Sequence, residues 1–475
     1  MEKEIPLYRM IYNKIVNRIL VGFYPKGYQL PSAQKIHAQA EIGYTSIRRA
    51  MRLLQEEGFI FSEARKAPVV IFDAADPQCR KLRHQIFLSR CQAHLDCYKA
   101  IPCLVPGLVF LGMRADNPEF ITRMEEICSC SPSEFRSKND LLKLIYTWQG
   151  ILVSQSQNSL AQDIFLQIRG FDDLRFIEKS SEDLLPGEAQ TVLQTLRHWT
   201  DLLKRGSFQD LYILQSIFCQ QACSDLRHEF QPLFHESEMK KVSPVEFRWY
   251  IQQSPTPLYK KIAYDLLRQA YDNQFDAGDY FPPENALIEH YKVAAVTIRG
   301  ALAFLNSFGI TKTLNGIGTL FTGVCTNFEE ISGYLRESAE SLSILSACSQ
   351  SLAIHAFPIL SEQEKATFFH ELATASSQDR LFLDVLRTFV RKLNIQSLAT
   401  IYEQLETRLI FGLSLSGAAI QPLAVTEVQS FLSDIVSVST SGKTDIFAYQ
   451  VSLLCHQIEK NLQVVLSSYF LKEDK

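Results

Sequence analysis

The sequence predicts a mainly α-helical protein in which two short helix-and-hairpin segments each precede a long helical segment. Three observations support this fold class. Apolar residues recur at helical spacing over most of the chain, residues 251–325 repeat the pattern of residues 1–73, and strand-like runs are confined to the ends of those two stretches. A chain of 475 residues is too long for one core and indicates several domains.

The composition is that of a soluble globular protein, with 46% hydrophobic and 21% charged residues. The longest apolar run, residues 100–113, is interrupted by Pro102 and Pro106, and the N-terminus lacks the apolar region of a signal peptide. These features predict a cytoplasmic protein without a membrane span. The 11 cysteines are then expected to be reduced thiols, and their spacing does not indicate a zinc site.

The stretch from Gly43 to Leu54 predicts an amphipathic helix with a basic outer face. Its apolar stripe consists of Ile47, Ala50, Met51 and Leu54. Its opposite face carries Thr45, Arg48, Arg49 and Arg52. Because no acidic residue lies within this stretch to neutralise the guanidiniums, the face favours a polyanion such as nucleic acid. An ordinary basic surface is the alternative.

The residues around this helix predict a helix-turn-helix with a small wing. A first amphipathic helix follows Pro6 and ends near Gly22, and Pro31 with Ser32 marks the start of a second helix. A very short turn joins the second helix to the basic third one, as in helix-turn-helix motifs. After Gly58, two short apolar runs flank Ala64-Arg65-Lys66 and predict a hairpin with a basic tip.

Residues 6–72 resemble the winged helix-turn-helix domain of the GntR family of bacterial transcription regulators. The resemblance rests on PLY, Pro25-Lys26-Gly27, LPS, TSIRRAM and EEGFI, which follow the family order of PLY, PG, LPSER, RTTVREAL and EGLI. In that family the RTTVR positions contact bases and phosphates. Tyr44 replaces the usual first arginine and Ala33-Gln34 replaces a Glu-Arg pair, so we expect a different base preference.

The candidate DNA-binding residues of this first copy follow from the resemblance and from the basic face. They are Ser32, Gln34, Tyr44, Thr45, Ser46, Arg48, Arg49, Arg52, Arg65 and Lys66. Residues 1–72 hold 11 Lys/Arg against 6 Asp/Glu, a net charge of +5. Because phosphate neutralisation supplies much of the affinity for DNA, this charge favours binding by the first copy.

The second copy repeats the first at an offset of 251 residues without a gap, and it resembles the GntR domain more faintly. Residues 253–324 hold 6 Lys/Arg against 6 Asp/Glu, so this copy is expected to bind DNA more weakly. Its hairpin tip, Asn315-Gly316-Ile317-Gly318-Thr319, fits the GxGT tip of the family. The candidate DNA-binding residues here are Thr297, Arg299, Asn315 and Gly316. The alternative is a winged helix retained only for packing or pairing.

Leucine-rich helical periods fill the two long segments, which are each expected to form an all-helical bundle. Phe369-His370-Glu371-Leu372 and Leu203-Lys204-Arg205-Gly206-Ser207 resemble motifs of the ligand-binding domain in the FadR branch of the GntR family. Many such domains bind a divalent metal through an aspartate and three histidines. Only His370 falls on one of those positions, and Gln149 stands at the same place in the first segment. No metal and no other cofactor is predicted.

Together these patterns predict a non-enzymatic transcription regulator, because no P-loop, GxSxG or paired metal motif occurs. The expected fold is mainly α with two winged helix-turn-helix domains (1–73 and 251–325), each followed by a helical effector- or dimerisation-like domain (74–250 and 326–475). The expected partners are double-stranded operator DNA and a small-molecule effector of unknown identity. The chain is expected to act as an intrachain pseudo-dimer or as a homodimer. A protein-interaction scaffold built from degenerate winged helices is the alternative function.

Overall fold

The computed structural model is mainly helical and divides the chain into two compact units. Unit 1 comprises residues 1–105, 112–157 and 162–255, and unit 2 comprises residues 106–111, 158–161 and 256–475. The structure describes residues 7–20, 24–40, 43–63, 66–73, 76, 79–113, 118–169, 187–230, 245–249, 256–272, 274–327, 331–416, 424–439 and 444–467.

Unit 1 begins with three helices and a hairpin. The elements are α1 (Leu7–Leu20), α2 (Ala33–Ala40), α3 (Tyr44–Glu56), β1 (Ile60–Phe61) and β2 (Val69–Val70). The two strands pair antiparallel, with Ile60 opposite Val70 and Phe61 opposite Val69. Gly58 ends the third helix with a φ of 83°, a conformation that glycine adopts without steric cost. This order confirms the helix-turn-helix and the hairpin that the sequence predicts.

The remainder of unit 1 consists mainly of helices within the described residues. Its helices are α4 (Arg80–Gly112), α5 (Pro118–Cys128), α6 (Lys138–Gln155), α7 (Ser159–Arg169), α8 (Glu188–Lys204) and α9 (Phe208–Phe230). Ser137 caps α6, where its hydroxyl oxygen accepts a hydrogen bond from the backbone N–H of Asp140. These helices agree with the leucine-rich helical periods that the sequence shows over this segment.

Helix α4 corrects an expectation from the sequence. The apolar run at residues 100–113 was expected to be broken by Pro102 and Pro106, yet α4 continues through both prolines. Leu88–Gly112, which lies within α4, and Ser332–Ile359 in unit 2 are both long and apolar enough to span a membrane by length and composition alone. The most apolar windows of these helices are 72% and 67% buried inside the protein, as in the core helices of soluble domains.

The N-terminal half of α4 packs into the same hydrophobic core as α1 to α3. Ile86 and Leu88 are buried in that core. Arg90, only 2% exposed, lies close to Tyr12, whose hydroxyl donates a hydrogen bond to Glu57. Burial lowers the pKa of Arg90 to about 10. Burial and the bond to Glu57 raise the pKa of Tyr12 above its ordinary value. A single helix therefore joins the N-terminal core to the helical part of unit 1.

Unit 2 contains the same order of elements at its start. These are α10 (Leu258–Tyr271), α11 (Glu284–Tyr291), α12 (Ala295–Ser307), β3 (Thr311–Leu314) and β4 (Gly318–Phe321). The strands pair antiparallel, with Thr311 opposite Phe321 and Leu314 opposite Gly318. Gln29 bridges Val69 in unit 1, and Tyr280 makes the corresponding bridge to Leu320 in unit 2.

The following helices of unit 2 form a bundle. They are α13 (Ser332–Ala356), α14 (Glu362–Thr374), α15 (Gln378–Leu393), α16 (Gln396–Leu415), α17 (Gln429–Ser439) and α18 (Thr444–Ser467). Polar contacts attach α10 to this bundle, where the Tyr271 hydroxyl donates to Asp379 over 2.5 Å and Arg380 donates to the backbone oxygen of Tyr271 over 2.9 Å. On α12, the Phe304 ring stacks on that of Phe411, with 6.0 Å between centroids.

Candidate nucleic-acid interface

The apolar stripe of α3 determines which side of the helix faces outward. Ile47, Ala50 and Leu54 are fully buried and Met51 is only 9% exposed. They pack against residues of α1 within one hydrophobic core. The sequence-based prediction for these four residues is confirmed. Burying them leaves the opposite side of α3 at the surface, because side chains three and four residues apart share one face of a helix.

The outward side of α3 carries most of the candidate DNA-binding residues. Ser46 is half-buried, and the exposed residues are Tyr44, Thr45, Arg48, Arg49 and Arg52. The structure therefore brings hydroxyls and three guanidiniums together on one exposed face. Such a face can donate hydrogen bonds to phosphate oxygens and to base edges.

The three arginines differ in their contacts. The guanidinium carbon of Arg48 lies 5.9 Å from the centre of the Tyr44 ring, while that of Arg49 lies 3.8 Å from the centre of the Tyr8 ring. Arg52 forms an ion pair with Glu56 over 3.4 Å. This pair corrects the expectation that no acid neutralises the basic face. Glu56 lies four residues after Arg52, a spacing at which helical side chains meet.

Two aromatic side chains extend this surface toward α2. The rings of His37 and Tyr44 meet edge to face, with 6.2 Å between their centroids. Both side chains are exposed. Because Tyr44 also lies beneath Arg48, the guanidinium of Arg48 is oriented by α3 and by the neighbouring ring. The sequence did not identify Tyr8, His37 or Glu56 as residues of this surface. Only Glu56 could have been found, from its spacing of four residues after Arg52.

The start of α2 carries exposed polar groups. The Ser32 hydroxyl accepts a hydrogen bond from the backbone N–H of Lys35 over 3.2 Å. This bond confirms Ser32 as a helix start signal. Gln34 and Lys35 are exposed in the first turn. A helix N-terminus with exposed donors suits phosphate, because its free N–H groups and helix dipole favour negative charge.

In the wing of unit 1, the described basic residue has an acidic partner. Lys66 is exposed and forms an ion pair with Glu63 over 2.5 Å. Arg65, the other basic candidate at the tip, lies outside the described residues. Exposed ion pairs are weak, so Lys66 can exchange its partner for a phosphate at small energetic cost.

The corresponding surface of unit 2 is less basic. Arg299 pairs with Glu284, with nitrogen–oxygen distances of 2.9 and 3.1 Å. The hydrogen bond from Arg299 to Glu284 raises the pKa of Arg299, which keeps it charged but partnered. Val296 is 74% exposed and Thr297 is half-buried on α12. The sequence indicated that Arg299 is available to bind DNA, whereas in the structure Arg299 forms an ion pair with Glu284.

The hairpin turn of unit 2 is built on glycine. Asn315 and Gly316 are exposed in the turn between β3 and β4, and Gly316 has a φ of 76° with no atom near the position of a Cβ. Such a backbone can approach a groove closely. The turn also carries Ile317, which is 70% exposed.

The residues considered for a metal site do not converge in the described part of the chain. His370 is exposed on α14. The Gln149 amide donates to the Gln215 side-chain oxygen over 2.9 Å. Among the residues that the structure describes, no group of three or more His, Cys, Asp or Glu side chains is placed to hold a metal ion.

Comparisons with known proteins agree with this geometry at the N-terminus. Residues 7–70 match the model of the gntR family of bacterial regulatory proteins, so this segment is a GntR-type helix-turn-helix domain. A search of curated proteins found no match for the chain.

Solved structures that are similar to this chain include E. coli McbR/YncC, at 12% identity, covering 48% of this chain and 100% of that protein, with a TM-score of 0.26. A Streptococcus agalactiae GntR protein is 14% identical, covers 43% of this chain and 99% of its own length, and has a TM-score of 0.22. A Rhodococcus putative transcriptional regulator GntR is 11% identical, with coverages of 46% and 96% and a TM-score of 0.23.

Proposed function

Since residues 7–70 are a GntR-type helix-turn-helix domain, we propose that this chain is a sequence-specific DNA-binding transcription regulator. We call residues 7–70 the reading head. The observation that carries the proposal is the face of α3, where a buried apolar stripe holds Arg48, Arg49 and Arg52 outward. A helix of this kind fits the major groove with its N-terminal residues toward base edges.

The residues of the reading head divide into two roles. Arg48 lies in the second turn of α3 and is proposed to contact a base, because arginine can bond the two acceptors of guanine together. Arg49 and Arg52 are proposed to contact phosphates, with Ser32 and Gln34 at the start of α2 and Arg65 with Lys66 in the wing. Phosphate contacts determine the position of the protein on the duplex, and base contacts determine which DNA sequence it prefers.

The aromatic residue at the start of α3 is proposed to alter base preference. Tyr44 offers a ring face and one hydroxyl, whereas the family arginine at this position offers several N–H donors. A ring contacts the thymine methyl group, and a hydroxyl can bond a phosphate. Thr45 and Ser46 supply further hydroxyls on adjacent positions. We therefore expect an operator in which thymine replaces guanine opposite Tyr44.

Selection from random-sequence duplexes tests this proposal. The full-length protein should enrich one motif, and footprinting should place that motif under the reading head. Arg48→Ala should abolish enrichment while circular dichroism shows an intact fold. Arg123→Ala, which removes an exposed arginine of α5 outside the head, is the matched control. Failure of the wild-type chain to enrich any sequence would overturn the proposal.

Residues 251–325 are proposed to form a second, degenerate winged helix that binds DNA more weakly. The repeated order of helices and strands supports this proposal, and the Arg299–Glu284 pair explains the expected weakness. One chain would then act as a pseudo-dimer on an operator with one strong and one degenerate half-site. In footprinting, Arg299→Ala should remove protection over the degenerate half-site only.

The pseudo-dimer also predicts the oligomeric state. Light scattering should show a monomer of 54.2 kDa, whereas a stable dimer would contradict the pseudo-dimer.

A protein-interaction role for the second copy is the alternative, and one observation favours it. Val296 and Ile317 are 74% and 70% exposed on the side where a winged helix would meet DNA. Apolar residues there suit a protein surface better than phosphate. If this role is correct, the salt dependence of DNA binding should be the same for the wild type and for Arg299→Ala.

The helical segments are proposed to bind a small-molecule effector, as GntR regulators often do.

A further inference from the structure

The hairpin of unit 2 carries an aliphatic side chain at its tip. Ile317 lies in the turn between β3 and β4 and is 70% exposed. Gly316 and Gly318 stand on either side of it, with φ angles of 76° and 147°. Glycine adopts these backbone conformations readily, and it places no side chain beside that of Ile317. The turn therefore presents one apolar group at the end of a narrow hairpin.

Hydrogen bonds hold this hairpin in place against α12. The hydroxyls of Thr313 and Thr319 lie 3.0 Å apart across the two strands. The Asn306 side chain, near the end of α12, donates to the Thr313 hydroxyl over 2.8 Å and accepts from the Thr311 hydroxyl over 2.7 Å. Because these bonds join the strands to each other and to the helix, the hairpin is a firm support for Ile317.

The tip differs in chemistry from the same place in the first copy. The strand pairs of the two hairpins align at the offset of 251 residues, and Ile317 then stands where the first copy has Lys66. Likewise Val296, 74% exposed at the start of α12, stands where the first copy has Thr45. The second copy therefore presents apolar groups on the side where the first presents a cation and a hydroxyl.

The composition of the hairpin surface suits the minor groove of DNA. The other exposed residues of this hairpin are Lys312, Thr313, Asn315 and Gly316. Proteins that bind the minor groove combine amide and cationic groups, which read its acceptor atoms, with apolar side chains inserted between base pairs. A protein-docking surface is usually a contiguous apolar patch instead. One apolar side chain among polar neighbours therefore favours DNA over a protein partner.

We propose that Ile317 is a wedge that enters the minor groove, partly separates two stacked base pairs and bends the DNA. The inference rests on the proposed DNA binding by the second copy and adds DNA bending to it. The branched side chain of isoleucine is stiff about χ1, so it keeps its shape between the bases. Steps of a pyrimidine followed by a purine are the most easily kinked, which places the wedge at a TA or CA step.

This role also gives a module without net charge a way to contribute to recognition. Residues 253–324 hold 6 Lys/Arg against 6 Asp/Glu, so phosphate neutralisation supplies little of its affinity. Insertion of Ile317 removes its apolar surface from water, which is a gain that salt does not screen. The cost of bending depends on the DNA sequence, so the second half-site is selected by how easily it deforms.

Circular-permutation electrophoresis of the full-length protein on its selected operator tests the proposal. The wild-type complex should show a bend of about 20–90° centred on the degenerate half-site. Ile317→Ser should lose most of the bend and still bind, whereas Ile317→Leu should keep it. Ile317→Lys supplies the side chain of the first copy, so it should lose the bend while the salt dependence of binding steepens. Val464→Ser, which changes a 68% exposed valine of α18, is the matched control and should bend DNA as the wild type does.

Competition between two duplexes gives a second measurement. One duplex contains the operator, and in the other the adenine of the TA or CA step is replaced by thymine to leave a T·T mismatch. A mismatched base costs less free energy to unstack. The wild type should therefore prefer the mismatched duplex severalfold, while Ile317→Ser should bind both duplexes equally.

Three outcomes would overturn the proposal. These are a wild-type complex without a bend, a bend of the same size in the wild type and in Ile317→Ser, and equal binding of both duplexes by the wild type. The first would favour the protein-interaction role for the second copy. Circular dichroism establishes that each variant is folded.

The failure of this inference is distinguishable from the failure of the proposed function. Bending is measured on complexes that bind the operator, so a missing bend leaves the proposed DNA reading by Arg48 intact. Absence of operator binding by the wild type would instead overturn the proposed function and the wedge together.

Discussion

The guanidinium carbon of Arg49 lies 3.8 Å from the centre of the Tyr8 ring. One arginine of α3 is thereby held by α1, two helices earlier in the chain. Arg48, by contrast, has its guanidinium 5.9 Å from the ring of Tyr44 within its own helix. The basic face of α3 therefore contains arginines with different structural roles, and this difference can be measured.

Arg49 should contribute to stability as well as to phosphate binding. Arg49→Ala and Tyr8→Ala should each reduce the free energy of unfolding of the head, and their coupling should be about 0.5–1 kcal/mol, typical of an exposed cation–π pair. Urea unfolding of both single variants and of the double variant measures this coupling. Additive effects of the two substitutions would show that the contact does not stabilise the fold.

Removing the acid that pairs with Arg299 should strengthen DNA binding by the second copy. Glu284→Gln releases the guanidinium of Arg299 for a phosphate, so the log–log salt slope of the full chain should steepen by about one unit. Glu289→Gln removes an exposed glutamate from the same helix, α11, and controls for net charge. Equal slopes for the two variants would indicate that Arg299 does not contact DNA. Because the pair is exposed, its loss should change the stability of the fold very little.

Replacing Tyr44 should change which base is preferred. Tyr44→Arg restores the family residue and should favour guanine over thymine at the contacted position by about 1–3 kcal/mol. Selection experiments on both proteins measure the change. Tyr44→Phe keeps the ring and removes only the hydroxyl, so it should retain the wild-type motif with weaker binding if the hydroxyl contacts a phosphate. An unchanged motif for Tyr44→Arg would exclude base contact at this position.

The buried stripe of α3 should be the most sensitive part of the head to truncation. Leu54 is fully buried, and Leu54→Ala should cost about 2–5 kcal/mol of stability through lost packing and a residual cavity. Leu53 is the adjacent, half-buried leucine. Leu53→Ala is therefore the matched control and should reduce stability less than Leu54→Ala does. Denaturant unfolding of the two variants gives the comparison. Equal losses would contradict the orientation of α3.

Much of this fold follows from periodicity. The four apolar residues of α3, the helix start at Ser32 and the hairpin after Gly58 all agree with the sequence, because each depends on neighbours within a few residues. Helix α4 was missed because Pro102 and Pro106 are local helix breakers, while burial of the helix in a core stabilises it over its whole length.

Some contacts of the candidate site could be predicted from local spacing in the sequence, whereas others depend on how the helices pack. The Arg52–Glu56 pair could be read from its spacing of four residues. Arg299 and Glu284 lie on different helices, fifteen residues apart, so only the packing of α11 against α12 brings them together. The hydrogen-bonded amides of Gln149 and Gln215 likewise lie on different helices, and no local pattern links them.

The effect of Arg48→Ala on operator affinity tests the central claim most directly. Fluorescence anisotropy should be recorded with the selected operator and with an unrelated duplex, for the wild type, Arg48→Ala and the control Arg123→Ala. If Arg48 reads a base, its loss should weaken operator binding by about 1–3 kcal/mol and bring it toward the affinity for the unrelated duplex. Arg123→Ala should match the wild type. Equal operator affinity for Arg48→Ala and the wild type, with the fold intact, would contradict the assignment of α3 as the helix that reads DNA.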